Sequence, residues 1–211
     1  MTSNLKHLCS ISSPKDDEPK TNGSSMRLYI GLLHYPVYNK NDQKIASAIT
    51  NFDLHDLSRL ARTYGVKKFF VITPLDDQQK LVERILLHWT NGYGARYNRY
   101  RKEAIEVMNI ARSLEAAIDE IRKIEGEEPL LIATDASKQA GKPITYSEAI
   151  KILFSEKVVF IIFGTAWGLH EDVIKRADFV LDPIKGKSSY NHLSVRTAAG
   201  IILDRIAGRY L

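Results

Sequence analysis

The sequence predicts an α/β protein in which a mostly parallel sheet is flanked by helices. Short apolar runs alternate along the chain with segments whose apolar residues recur at helical spacing. The longest apolar run, residues 158–163, is far shorter than the roughly 18 residues needed to span a bilayer. The only cysteine, Cys9, lies near the start, so the rest of the chain has no disulfide framework. These observations exclude a membrane-spanning protein, a collagen and a coiled coil.

The predicted elements follow the chain in order. Strands are expected at residues 27–33, 68–73, 130–133, 158–163 and 179–181. Helices are expected at residues 53–64, 77–89, 104–124, 145–153, 172–177 and 194–206. Gly126 is suited to end the long helix, and Thr145 with Glu148 has the pattern of a capping box.

Residues 1–25 are rich in Ser, Thr, Asn, Gly and Pro and carry mixed charge. Such a composition predicts a disordered leader, followed by one domain over residues 26–211. The charges of the leader cancel, so the domain carries the whole net charge of +5. This positive charge favours a polyanionic partner such as nucleic acid, although many basic proteins bind none.

Common catalytic and nucleotide-binding motifs are absent. The chain contains no G-x-G-x-x-G, no G-x-x-x-x-G-K-[ST], no H-E-x-x-H and no G-x-S-x-G. We therefore expect no metal site and neither a serine nor a metal hydrolase.

Three loops near the C-terminus stand out instead: residues 163–169 (FGTAWGL), 181–186 (LDPIKG) and 190–196 (YNHLSVR). A glycine at the carboxyl end of a buried strand allows a ligand to approach the backbone closely. Simpler interpretations are a tight turn with Trp167 in the core, an ordinary second turn, and a helix cap at Asn191 or Ser194.

Together with the first third of the domain, these loops resemble the SPOUT (α/β-knot) class of S-adenosylmethionine-dependent RNA methyltransferases. They look most like a small bacterial family whose members occur alone or fused behind the tRNA guanine-N1 methyltransferase. The resemblance rests on residues 33–38 (LHYPVY), 50–56 (TNFDLHD), 62–66 (RTYGV), 164–169, 190–196 and 202–205 (ILDR). It implies methyl transfer to tRNA or rRNA, a C-terminal trefoil knot and a homodimer. A cytoplasmic location is expected from the cysteine count, since a domain without disulfides suits a reducing cytosol. A second tRNA methyltransferase is a further expected partner.

In that class, loops near the C-terminus bind S-adenosylmethionine (SAM) and its product S-adenosylhomocysteine. The resemblance implies the following cofactor-binding residues here: Thr134, Gly164, Thr165, Trp167, Gly168, Leu181, Pro183, Ile184, Tyr190, Asn191, His192, Leu193 and Ser194. Ala166 departs from the pattern, in which a glycine is expected.

Candidate catalytic residues cluster near the start of the first predicted helix. Arg59 matches an arginine that contacts RNA phosphate and assists the nucleophile in related ribose-methylating enzymes. Asn51, Asp53 and His55 lie nearby, and His55 is a candidate base. The simpler alternatives are a solvated arginine, a capping aspartate and a structural histidine. Because the domain has no cysteine, methylation at pyrimidine carbon-5 is disfavoured.

Residues 88–102 combine basic and aromatic side chains, which can neutralise phosphates and stack on bases. Candidate RNA-binding residues are Arg96, Tyr97, Arg99, Arg101 and Lys102. Two glycines, Gly92 and Gly94, predict a mobile loop that becomes ordered on RNA. The alternative is a solvated lead-in to the next helix.

Two other functions remain open. The acidic loop that supplies a proton acceptor in the tRNA guanine-N1 enzymes has no clear equivalent here, so the methylated atom is not determined. The chain could instead be an RNA- or partner-binding module without turnover. An unrelated α/β nucleotide-binding enzyme is disfavoured by the missing glycine motifs.

Overall fold

A computed structural model describes residues 26–136, 141–188 and 190–208. The predicted disordered leader, residues 1–25, lies outside the described residues. Within the described residues, no helix is both long and apolar enough to cross a membrane.

The fold is built on a parallel sheet of seven strands in the order β5-β4-β1-β8-β6-β9-β7. The strands are β1 (Leu28–Leu33), β4 (Lys68–Ile72), β5 (Met108–Ala111), β6 (Leu130–Thr134), β7 (Pro143–Ile144), β8 (Val159–Gly164) and β9 (Phe179–Leu181). A short antiparallel pair, β2 (Val37–Tyr38) and β3 (Lys44–Ile45), lies beside it. The predicted α/β class and parallel sheet are confirmed.

Eight helices occur among the described residues, and they cover both faces of the sheet. They are α1 (Asn51–Thr63), α2 (Asp76–Thr90), α3 (Tyr93–Tyr97), α4 (Arg99–Ile105), α5 (Leu114–Glu125), α6 (Tyr146–Leu153), α7 (Glu171–Arg176) and α8 (Val195–Ala207). Buried residues of α1, α2, α4, α6 and α8 share one apolar cluster, whereas those of α5 and α7 belong to the other. Since alternate residues of a strand face opposite sides, every strand of the seven-stranded sheet except the short β7 contributes to both clusters.

The prediction of one helix over residues 104–124 is wrong. The chain forms α4, then edge strand β5, then α5. Met108 to Ala111 pair with Phe69 to Ile72 of β4, and Ser113 caps α5. A four-residue strand between two helices is too short to show its own period, so pairing with a distant strand decides the structure.

The helix caps differ in part from expectation. Thr50, not Asp53, caps α1, and its hydroxyl accepts a hydrogen bond from the Asp53 backbone N–H. Ser194 caps α8, whereas Asn191 does not. The capping box of Thr145 and Glu148 and the end of α5 at Gly126 are confirmed. The cap at Ser194 fixes where the loop of residues 190–194 enters α8.

Candidate functional site

The carboxyl ends of the parallel strands bring distant loops to one edge of the sheet. β1, β6 and β9 end at Leu33, Thr134 and Leu181, and β8 ends at Gly164. Register places Leu33 beside Gly164 and Thr134 beside Leu181. This is the edge at which open α/β sheets bind their ligands.

The loop of residues 164–169 is fixed by main-chain hydrogen bonds to β2. The Trp167 N–H donates to the Tyr38 carbonyl and the Tyr38 N–H donates to the Gly168 carbonyl, both at 3.0 Å. The Trp167 side chain is 63% exposed. The interpretation of Trp167 as a core residue is therefore wrong, and its indole is available at the surface of the site.

Three positions of this loop have demanding backbone geometry. Ala166 has a φ of 52° and Gly168 a φ of 106°. Both lie in the region that favours glycine, which explains why the resemblance places glycine at residue 166. A Cβ on Gly164 would lie 2.8 Å from the backbone N of Leu169. Gly164 is thus required by packing within the loop itself.

A buried histidine is connected to the same loop. Nδ1 of His34 lies 3.0 Å from Oγ of Ser47, and that oxygen lies 2.5 Å from Oγ1 of Thr165. The Thr165 hydroxyl donates to the Leu33 carbonyl at 3.0 Å. Because this carbonyl can only accept, the chain of donors runs from His34 through Ser47 to Thr165. Burial lowers the pKa of His34 to about 4, so the ring is neutral at pH 7.

Two further loops complete this edge. Asn191 Nδ2 donates to the Ala136 carbonyl at 2.7 Å, which joins the loop before α8 to the loop after β6. Among described residues 183–188 and 190–193, no backbone-to-backbone hydrogen bond forms. Tyr190 is 70% exposed, and Ile184 packs partly against the core. These loops therefore present main-chain donors and acceptors beside apolar surface.

Not every predicted cofactor residue has a free polar group here. The hydroxyl of Thr134 donates to the Ile162 carbonyl at 2.9 Å, and that of Ser194 is engaged as the α8 cap. Tyr190 and His192 meet edge to face, with 5.4 Å between ring centroids. The polar side chains of these loops thus interact mainly with other groups of the protein.

Helix α1 carries the predicted catalytic residues, with Asn51, Asp53 and His55 in its first two turns and Arg59 in its third. Asn51 and Arg59 are exposed, whereas Asp53 and His55 are half-buried. Oδ2 of Asp53 accepts from the Thr50 hydroxyl at 2.6 Å, and its Oδ1 lies 3.3 Å from Nε of Arg196. Asp53 is therefore held in place at both oxygens.

A cleft of about 500 Å³ opens between α1, α2 and α4. Its lining residues are Asn51, Phe52, His55, Asp56, Arg59, Arg84, Ile85, His88, Trp89 and Arg101. Burial and the positive charges of Arg101 and Arg59 lower the pKa of His55, against an opposing effect of Asp56. A second cleft of about 460 Å³ reaches the start of α8 and shares Asp56 and Arg59.

The predicted RNA-binding segment is helical, so the expected mobile loop is wrong. Gly94 is buried, and a Cβ there would lie 2.5 Å from Cε3 of Trp89. Arg96 and Tyr97 are exposed, and Tyr97 stacks on Tyr93 with 5.9 Å between centroids. The segment thus presents these side chains from short helices.

The basic residues of that segment divide into two groups. Arg99 pairs with Glu103 and Lys102 with Glu106 along α4. Arg101 instead turns into the 500 Å³ cleft, with its guanidinium carbon 4.5 Å from the Trp89 ring centroid. The five candidates therefore do not form one surface.

Sequence reasoning gave no role to Arg196 or Ser47 and missed Arg84 and Ile85 on the α2 side of the cleft. Arg196 lies inside the matched segment 190–196, which was a usable signal, whereas Ser47 had none. Within the described ranges, no group of three His, Cys, Asp or Glu side chains could hold a metal ion.

Residues 27–208 match the model of a family of SAM-dependent RNA methyltransferases. A tRNA (guanine-N1-)-methyltransferase of Oleidesulfovibrio alaskensis is 42% identical over 181 residues, which cover 86% of this chain and 42% of the relative. An uncharacterized protein of Aquifex aeolicus is 35% identical, covering 86% of this chain and 89% of the relative. The chain thus spans less than half of the named methyltransferase.

Solved structures share the fold at low sequence identity. TrmJ from Z. mobilis superposes with a TM-score of 0.52 at 14% identity, covering 87% of this chain and 69% of TrmJ. The SpoU methyltransferase AviRb of Streptomyces viridochromogenes, in complex with AdoMet, gives a TM-score of 0.50 at 16% identity, covering 87% of this chain and 60% of AviRb. At these identities the likeness concerns architecture alone.

Proposed function

The chain belongs to the family of SAM-dependent RNA methyltransferases, and from that premise we propose how its residues divide the work of methyl transfer to RNA. SAM is the donor and RNA the acceptor in this family. One observation carries the division of roles. Three loops lie with α1 at the carboxyl edge of the sheet: the loops after β6 and β8 and the loop before α8. Arg196 of α8 pairs with Asp53 and Asp56 of α1 and so links the two helices.

The donor site is proposed at the loops of residues 134–136, 164–169, 181–186 and 190–194. When bound, SAM supplies a methyl carbon attached to a positively charged sulfur. Its adenine has flat apolar faces and a hydrogen-bonding edge. Main-chain groups of residues 183–188 and 190–193, with exposed Trp167 and half-buried Ile184, suit such a ligand.

The acceptor site is proposed at the two clefts along α1. Arg59 lines both clefts and can contact RNA phosphate, and Asn51 lines the first. His55, whose pKa is lowered, is neutral at pH 7 and can accept a proton from the nucleophile. Asp53 is bound to Thr50 and Arg196, so we assign it a positioning role rather than that of a base.

The nucleophile and the methyl carbon must come within about 3–3.5 Å for in-line displacement. The protein's main task is therefore to orient a ribose hydroxyl or a ring nitrogen. A tRNA substrate is proposed because a relative is a tRNA methyltransferase. Since the chain spans 42% of that relative, its guanine-N1 specificity is not transferred.

Outside the clefts, α3 and α4 are proposed to hold RNA. Arg96 and Tyr97 are exposed, and Tyr93, Tyr97 and Tyr100 are each at least 74% exposed. Exposed aromatic faces can stack on unpaired bases, and the cations can neutralise phosphates.

The trefoil knot, the homodimer and the second tRNA methyltransferase are further proposals from the resemblance, and a cytoplasmic location is proposed from the lack of cysteine in residues 26–211. The homodimer is supported by apolar side chains exposed beside the clefts and the donor loops. Phe52 is 71% exposed and Leu193 is 43% exposed. A partner subunit covering them would also enclose the acceptor site.

Calorimetric titration with SAM and S-adenosylhomocysteine tests the donor site first. Micromolar binding, about −8 kcal/mol, is expected. Radiolabelled methyl transfer to fractionated cellular RNA, followed by nucleoside chromatography, then identifies the modified atom. Absence of SAM binding at millimolar concentration, with and without RNA, would contradict the proposal.

A second candidate function is an RNA-binding module without turnover. One observation favours it: Asp53 and Asp56, the acidic residues of the first two turns of α1, both contact Arg196 and are not free to act as bases. SAM and RNA binding without any methyl transfer would support this module.

A further inference from the structure

Three arginines from three different helices converge on the 500 Å³ cleft. Arg59 comes from α1, Arg84 from α2 and Arg101 from α4. We call this cleft, with the lining given above, the arginine cleft. Like charges brought together without a counterion repel one another, so their convergence calls for an explanation.

The positive charge of the arginine cleft is not neutralised within the described part of the chain. Arg59, Arg84 and Arg101 form no ion pair there. The carboxylate of Asp56, which lines the cleft, is engaged by Arg196 at 3.1 Å. Four exposed arginines elsewhere pair with carboxylates: Arg99 with Glu103, Arg112 with Asp76, Arg122 with Glu128 and Arg176 with Glu115. Exposed Arg62 and Arg96 form no ion pair with the described residues, so the cleft is distinguished by three unpaired arginines lining one cavity.

Arg101 is fixed in position, unlike an ordinary surface arginine. Its guanidinium lies over the ring of Trp89, and its Nε is buried without a hydrogen-bond partner. Trp89 is itself held edge to face by His55 and His88, at 5.6 and 4.9 Å between centroids, and backed by Gly94. The cleft therefore contains a cation that is preorganised by its contact with Trp89.

The chemistry of the lining selects the ligand. Planar guanidinium groups arriving from several directions match the oxygens of a phosphate. Arg101 covers one face of Trp89 and Gly94 approaches the ring closely, so a base has little room to stack there. A phosphodiester satisfies the donors without needing a particular base.

We propose that the arginine cleft binds a backbone phosphate of single-stranded RNA next to the nucleotide that is methylated. This inference rests on the proposed function, because it places the RNA strand along α1 beside His55. It assigns Arg84 and Arg101 to substrate binding, and it makes Trp89 the residue that positions Arg101.

Salt dependence of RNA binding tests the proposal. The probes are total tRNA and a single-stranded 12-nucleotide RNA of mixed sequence, with affinity measured by fluorescence anisotropy at several salt concentrations. For the 12-mer, Arg84→Gln and Arg101→Gln are each expected to lower the slope of log affinity against log salt by about 0.7. Affinity at low salt is expected to fall about 5- to 20-fold.

Arg62→Gln is the matched control, since Arg62 is exposed on α1 and lines neither cleft. It removes the same charge and is expected to leave the slope within 0.3 of the wild type. If Arg84→Gln and Arg101→Gln change the slope no more than Arg62→Gln, the proposal is overturned. Equal affinity for an uncharged morpholino of the same sequence would also overturn it.

The positioning role of Trp89 has its own readout. Trp89→Phe retains a flat ring beneath Arg101 and is expected to keep the slope, whereas Trp89→Leu is expected to lower it as Arg101→Gln does. Thermal unfolding confirms that each variant is folded. An unchanged slope in a folded Trp89→Leu would contradict this role.

SAM titration separates this inference from the proposed function. Arg84→Gln and Arg101→Gln should bind SAM within about twofold of the wild type, because the donor loops lie elsewhere. A wild type that methylates RNA, with unchanged slopes in the variants, would refute the arginine cleft alone. Altered slopes in a protein that never binds SAM would refute the methyltransferase assignment alone.

Discussion

Nη1 of Arg196 lies 3.1 Å from Oδ2 of Asp56, so the first turn of α8 is joined to α1 across 140 positions of sequence. The same guanidinium lies 3.3 Å from Asp53 and 5.5 Å from the centre of the Phe52 ring. Because α8 begins directly after the loop of residues 190–194, this contact couples the proposed donor loops to the proposed acceptor site.

Arg196→Gln should affect catalysis far more than stability. The side chain is 38% exposed, so losing its pairs should cost less than about 1 kcal/mol of unfolding free energy. The methyl transfer rate is expected to fall at least tenfold, because small misplacements of reacting groups are costly. SAM affinity, measured by calorimetry, should change less than threefold.

Arg112→Gln is the control for that variant, since Arg112 also forms a surface pair, with Asp76. Its rate should stay within twofold of the wild type. Equal rate losses in the two variants would show that Arg196 has no special positioning role.

Ala166→Gly is expected to stabilise the protein by about 0.5–1 kcal/mol. A left-handed backbone costs an L-residue roughly 1–2 kcal/mol. Glycine avoids this cost, but its extra freedom in the unfolded chain takes back about 0.5–1 kcal/mol of the gain. Ala116→Gly, in the right-handed and exposed first turn of α5, should destabilise instead by about 0.5–1 kcal/mol. Urea unfolding measures both, and destabilisation by Ala166→Gly would contradict the strained φ of 52°.

Gly164→Ala should weaken SAM binding at least tenfold and destabilise the protein by roughly 1–3 kcal/mol. The added methyl would meet the backbone of Leu169, a fully buried residue, and would displace the loop. Gly200→Ala, in α8 and outside the donor loops, is the comparison, because its Cβ would make only ordinary contacts of 3.7 and 3.8 Å with Leu60. If Gly164→Ala kept wild-type SAM affinity, the assignment of this loop to the donor site would be wrong.

His34 should make stability fall as the pH is lowered. Its pKa is about 4 in the folded protein, against 6.5 when solvated, so below pH 6.5 the unfolded chain takes up the proton first. Between pH 7 and pH 5, this unequal uptake should cost about 2 kcal/mol of unfolding free energy. The loss should stop below pH 4, where both states are protonated.

His34→Asn removes the titration of residue 34, whereas the other titratable groups, including His55, are present in both the wild type and the variant and so cancel in the difference between them. The difference in unfolding free energy between wild type and His34→Asn should therefore shrink by about 2 kcal/mol from pH 7 to pH 5. Urea unfolding at the two pH values measures it. A difference independent of pH would mean that His34 is not buried as a neutral ring.

Sequence patterns located most elements because each carries its own period or cap. The buried run of β8 and the capping box of α6 are local signals, and both are confirmed. β5 has no such signal, since its four residues fit the helical spacing of their neighbours and only pairing with β4 makes them a strand. Likewise, the two glycines of residues 92–94 predicted a mobile loop. In the structure Gly94 is buried against Trp89, and this contact explains why a glycine stands there.

The sequence by itself determined the α/β class, the parallel strands, most helices and the segments that form the proposed site, because hydrophobic period and motif spacing are properties of the chain. Only the tertiary structure decided which of those residues meet. It turned Arg101 into the cleft and away from Arg99, bound Asp53 to Arg196, and connected His34 to Thr165 through Ser47. Asp53 and Arg196, like Ser47 and Thr165, are more than 100 positions apart, and Arg101 and Trp89 lie on different helices. Such contacts arise from the packing of separate helices and loops, which no local pattern encodes.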